Sequence, residues 1–130
     1  MADIVGTWRL VAATARDAAG NPLAVPFGPQ GMGRVVFTAD GRMMAVLCDG
    51  RPELPRGTTR DYSSYCGNYT FDGRTLVTRV DAASDPARIG SDQVRDVRFE
   101  GEHMILRPPP RPGAGGPEQR ELTWERIAPV

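Results

Sequence analysis

Short apolar runs alternate with polar positions along this 130-residue chain, and most of them repeat with a period of two. That period puts every second side chain on one face of an extended strand. Strands are predicted over residues 6–15, 33–38, 43–48, 65–71, 75–82, 93–100, 103–107 and 120–127. Glycine and proline, 15 and 12 of them, punctuate the runs. Asp40-Gly41 and Asp72-Gly73 read as hairpin turns, because Asp-Gly suits positions that need positive φ. Gly101 marks a further tight turn. Longer connections are expected over 17–29, 49–59 and 84–90, the last irregular with room for a short bridging strand. Residues 108–117 read as a flexible Pro/Gly loop. No window carries a long helical repeat, so little helix is expected.

Neighbouring hairpins imply an antiparallel meander. Closing it removes both unpaired edges, and about eight strands enclose room for one small ligand. The predicted fold is therefore all-β: an antiparallel up-and-down closed barrel with an internal cavity, a single domain over residues 1–130. A two-sheet sandwich is the main architectural rival.

Composition narrows the function. Hydrophobic residues make up 40% and charged residues 25%, the balance of a globular chain and not a disordered one. The net charge is zero, so no basic stripe points to nucleic acid. All 16 basic residues are arginine. The lack of lysine excludes Schiff-base chemistry and a Walker-type phosphate loop. With one histidine, His103, the chain cannot build a multi-histidine zinc site, and no metal or cofactor is expected. Cys48 and Cys66 read as reduced thiols. The first residues do not resemble a signal peptide, and no run is long enough for a membrane helix. The expected compartment is cytoplasmic, with no membrane partner.

At the residue level the chain resembles a known family. Gly6-Thr7-Trp8 is similar to the Gly-x-Trp signature of lipocalins. The segments 5–11, 33–43, 65–69, 92–95 and 122–126 resemble, in order and spacing, the bacterial and fungal lipocalin-like domain family. The resemblance spans essentially the whole chain. It implies a calyx-shaped barrel with an internal cavity. Barrels of related shape include binders of small apolar molecules, and some act as cyclases or isomerases. Members often carry histidine in the fifth strand, where this chain has Thr78 and Arg79, which removes an acid–base group there.

Individual residues follow from alternation. Trp8 and Arg126 lie in the first and last strands, which neighbour each other in a closed barrel, and a similar pair closes the blind end of lipocalins. Trp8, Trp124 and Arg126 are accordingly read as structural. Arg95 shares a face with Gln93, Val97 and Phe99 and should point inward. A buried guanidinium keeps its proton, so it needs either an internal carboxylate (Asp81, Glu125 or Asp61) or an anionic ligand. Tyr65 and Tyr69 share a face with Phe71, as core or as cavity lining. Tyr62 and Asp61 precede them, in a loop expected at the cavity mouth. One of Met43 and Met44 must face in, and Met44 is assigned to the lining, with Phe37 and Thr78. His103 should face solvent. Cys66 alternates away from the tyrosines and has no base nearby in sequence. Residues 107–112 form a proline-rich segment that reads as a stiff loop.

The ligand set predicted from sequence is therefore Arg95, Tyr69, Tyr65, Gln93, Phe37, Met44 and Thr78. The favoured function is binding of a small, mostly apolar molecule with a polar or anionic end. The alternative is a cofactor-independent cyclase or isomerase acting on an unsaturated intermediate in the same cavity. An interaction module built on the proline-rich segment is a weaker third reading. Homodimerisation stays open.

Overall fold

The alternating runs become nine strands: β1 (Gly6–Arg16), β2 (Gly31–Phe37), β3 (Arg42–Asp49), β4 (Tyr62–Phe71), β5 (Thr75–Ala83), β6 (Asp92–Glu100), β7 (His103–Arg107), β8 (Arg111–Gly113) and β9 (Gly116–Ala128). The computed structural model describes residues 3–113 and 116–129. Strands β1 to β7 pair antiparallel in chain order, and β9 pairs with both β7 and β1. The sheet therefore closes on itself as an eight-stranded antiparallel barrel. Strand β8 pairs only with the start of β9 and extends one rim as a short hairpin.

Each strand's period of two sorts its side chains between the two faces. Cross-strand register carries one inward row through Val35, Ala45 and Tyr65, and another through Phe37, Met43 and Gly67. Strand β4 bulges at Cys66/Gly67 against β5. A Cβ at Gly67 would overlap the Arg79 carbonyl, so the bulge needs glycine. Gly6 sits at φ 133°, and a Cβ there would lie 2.6 Å from the Ala128 carbonyl oxygen. The glycine of the Gly-x-Trp motif thus lets β1 and β9 approach closely where the barrel seals.

The end of the barrel around the start of β1 is packed shut. Ile4, Trp8, Phe37, Met43, Met104 and Trp124 form the buried heart of the hydrophobic cluster, with Tyr69, Phe71 and Phe99 against it. The Trp8 indole N–H donates to the Ile4 carbonyl at 2.9 Å. The Arg126 guanidinium stacks over the Trp8 ring at 4.5 Å and donates to the Asp3 carbonyl. Such a stack contributes about 0.5–2 kcal/mol, according to how dry it is.

Two connections differ from expectation. Residues 84–90 hold no bridging strand. Pro86–Arg88 form one 3₁₀ turn, capped by the Asp85 carboxylate, which accepts from the Ala87 N–H at 3.1 Å. An acceptor at the N-cap followed by proline at the first helical position favours that turn over extension. In the Pro/Gly segment 108–117, whose residues 114 and 115 lie outside the described residues, paired strand replaces part of the expected loop. Arg111 pairs with Glu118 and Pro112 with Pro117, which forms the β8–β9 hairpin.

A candidate anion site at the open end

The opposite end of the barrel is polar inside. Alternation on β6 places Gln93, Arg95 and Val97 on the inner face, where register sets Gln93 opposite buried Thr78 and Arg95 opposite buried Leu76. Arg95 is half-buried, and burial pulls its pKa down from the usual arginine value. It stays charged, because the starting value lies far above neutral. The ion pair expected for it does not form. Asp81 holds Arg42, Glu125 holds Arg9, and Asp61 makes no ion pair among the described residues. Both of the former pairs lie on exposed side chains, whereas Arg95 points the other way. The Arg95 guanidinium instead donates to the Gln93 Oε1 at 2.6 Å and to the Val94 carbonyl at 2.9 Å.

That contact fixes the Gln93 amide. Its oxygen faces the guanidinium, so its NH₂ group must face away. Gln93 is 8% exposed, and its Nε2 has no hydrogen-bond partner among the described residues. A buried N–H donor left unpaired costs about 1–3 kcal/mol, so this atom marks where an acceptor belongs.

Two residues not singled out from the sequence complete the cluster. Arg88, from the 3₁₀ turn, reaches back over the rim and stacks on the Tyr65 ring at 4.6 Å. It also donates to the Ser63 Oγ at 3.1 Å. After burial, the charge of an ionised Tyr65 raises the Arg95 pKa and the Arg88 charge lowers it. The Asp85-Pro86 pair, an N-cap followed by proline, signals a turn here but not that the turn carries Arg88 to the barrel.

The remaining predicted site residues divide between this cluster and other places. Tyr65 belongs to it. Tyr69 is on the inner face, but its hydroxyl already donates to the Thr38 carbonyl at 2.7 Å, and its ring meets Phe37 edge-on at 5.2 Å. Burial raises the Tyr69 pKa, and the nearby Asp3 and Asp40 charges raise it further. Phe37 is therefore packed core at the closed end, and the Tyr69 hydroxyl is tied toward that end. Thr78 is buried beside Gln93.

Met44 is a correction. It is 62% exposed on the outer face, while Met43 is 3% exposed and fills the core. Arg42 opens β3 opposite Asn68, and that register turns Met43 toward Gly67 inside. Tyr62, expected at the mouth, also points outward and is 57% exposed. Met44 and Tyr62 line an outer depression of about 650 Å³ together with Val36 and Val46. His103 faces solvent as expected. Cys48 and Cys66 are free thiols, and the Cys66 Sγ lies 3.5 Å from an Asp81 carboxylate oxygen.

Two acids at this end hold arginines of their own. Asp49 is buried and holds Arg51 through both carboxylate oxygens, which keeps its pKa below the usual carboxylate range. Glu118 holds Arg120 at 3.0 Å. Arg60 ties the intervening loop down by donating to the Asp49 and Arg51 carbonyls. No ion pair among the described residues includes Arg88 or Arg95. No group of three or more metal-ligating side chains occurs among them either.

An eight-stranded meander, sealed at one end by a Trp–Arg stack and polar inside at the other, is the architecture of the lipocalin-like barrels, which as a class take up small molecules. Residues 5–127 match the family model for the lipocalin-like domain, and the chain belongs to that family. No curated protein and no solved structure matches it.

Proposed function

We propose that this protein binds a small, mostly apolar molecule through an anionic end, with that end against Arg95 at the open end of the barrel. The observation that carries the reading is an inward guanidinium with no carboxylate partner among the described residues. A cation kept on an inner face without an internal counter-charge is stabilised when an anion arrives. The unpartnered Gln93 Nε2 beside it offers a second donor to the same group. The apolar tail would run along the inner face toward Leu47, Leu76 and Val97, all buried.

Matched ligands test this by calorimetric titration. Octanoate and octanol share a tail and differ at the head. A hydrogen bond to a charged partner is worth about 1.5–3 kcal/mol, or roughly 10–100-fold in affinity. Octanoate is expected to bind at least about tenfold more tightly than octanol. Equal affinities, or binding of octanol alone, would overturn the anion reading.

A further inference from the structure

We propose that the head group held at the open end carries two negative charges, as a phosphate monoester does, with Arg88 and Arg95 as its two guanidinium partners. This rests on the anion reading above and specifies which anion.

The first argument is charge. Arg88 and Arg95 come from different segments, the 3₁₀ turn and β6, and both bond to residues near the starts of β4 and β6, at one end of the barrel: Arg88 to Ser63 and the Tyr65 ring, Arg95 to Gln93. Neither has a carboxylate partner among the described residues. Of the acids at this end, Asp49 holds Arg51, Glu118 holds Arg120 and Asp85 caps the turn, while Asp61 pairs with neither Arg88 nor Arg95. Two like charges brought together on partly dry walls repel each other. A carboxylate would compensate one of them and leave the other. A dianion compensates both.

The second argument is the donor count. The groups facing the cluster are donors almost throughout. The two guanidiniums have N–H groups to spare, since each makes only one or two hydrogen bonds of the five it can donate. Gln93 Nε2 is buried and unpartnered. Ser63 Oγ accepts from Arg88, which leaves its own O–H free to donate. A carboxylate presents two oxygens to such a set, whereas a phosphate monoester presents three terminal oxygens. Planar guanidinium forks suit phosphate oxygens, often in bidentate pairs. The stack on Tyr65 restrains the Arg88 guanidinium, so little order is lost when the anion binds.

Octyl phosphate, octanoate and octanol distinguish the possibilities by calorimetric titration of the full chain and of R88Q. The wild type is expected to hold octyl phosphate about tenfold or more above octanoate. Its affinity for octyl phosphate should fall about fourfold from pH ~7.5 to pH ~5.5, as a phosphate with a second pKa near 6 regains a proton. Octanoate should change little over that window. R88Q should bring octyl phosphate down to the level of octanoate and leave octanoate within about twofold, while R88K should keep part of the preference. Equal binding of phosphate and carboxylate by the wild type, or an equal loss of both in R88Q, overturns the dianion and leaves the single-anion reading standing. If octanol binds as well as either anion, both readings fall together.

Discussion

Replacing Arg95 by methionine separates a ligand anchor from a structural cation. Methionine matches most of the arginine stem in length and carries no charge. Two contacts vanish, to Gln93 Oε1 and to the Val94 carbonyl. A hydrogen bond to a charged group contributes about 1.5–3 kcal/mol. Against that loss stands relief from holding a half-buried guanidinium without a counter-charge, which amounts to about a few kcal/mol. The terms nearly cancel, so stability is expected to stay within about 1 kcal/mol of the wild type. A cation locked in a buried ion pair would behave differently, because its removal strands the partner and costs about 3–5 kcal/mol. Urea unfolding reads the difference as a shift in midpoint at constant slope. Octanoate at a hundredfold its dissociation constant should then stabilise the wild type by about 2.7 kcal/mol and Arg95→Met far less. A loss beyond about 3 kcal/mol at unchanged slope would refute the reasoning, for it would mean that Arg95 holds the fold together.

The register of β3 makes two neighbours opposite in effect. Met43→Ala should cost about 2–5 kcal/mol by urea unfolding and Met44→Ala within about 0.5, and a reversed order would mean that the strand is slipped by one residue. The ion pairs set an acid limit. Asp49, Asp81 and Asp92 each have a pKa held below the usual carboxylate range, first by the hydrogen-bonded guanidinium of Arg51, Arg42 and Arg79 respectively. Their contribution is complete above the unfolded carboxylate value near ~3.9 and is lost as pH falls through the lower folded values. Stability should therefore hold from about pH 7 to 5 and decline below about pH 4. Asp49→Asn should flatten that decline, and an unchanged acid limb would show that the Arg51 pair adds nothing to it.

The barrel was legible because its signals are local. Asp40-Gly41 and Asp72-Gly73 mark two hairpins, and the inward rows follow from a period of two. The Trp8–Arg126 stack was readable as well, since closure necessarily brings the first and last strands together. The inward direction of Arg95 came from the same alternation. Its lack of an acidic partner did not, because pairing depends on which face each acid occupies, and Asp81 and Glu125 lie outside. Met44 went wrong for a related reason: in a Met-Met pair alternation says that one faces in, and only the cross-strand register with Gly67 says which. Arg88 was invisible because its position depends on a turn that folds back over the rim, a long-range contact with Ser63 and Tyr65 that no local pattern encodes.

The pairing of β1 with β9 also has a consequence for how the protein is made. Trp8 leaves the ribosome long before its strand partner Arg126. Until then one side of β1 has no hydrogen-bonding neighbour, and the β1–β7 meander has two open edges. Contacts this distant in sequence slow folding, and an unpaired edge is where nascent chains associate wrongly. The arrival of β9 thus decides between a sealed barrel and an open, sticky sheet. Truncation within β9, even short of its last few residues, should expose that edge in every molecule at once.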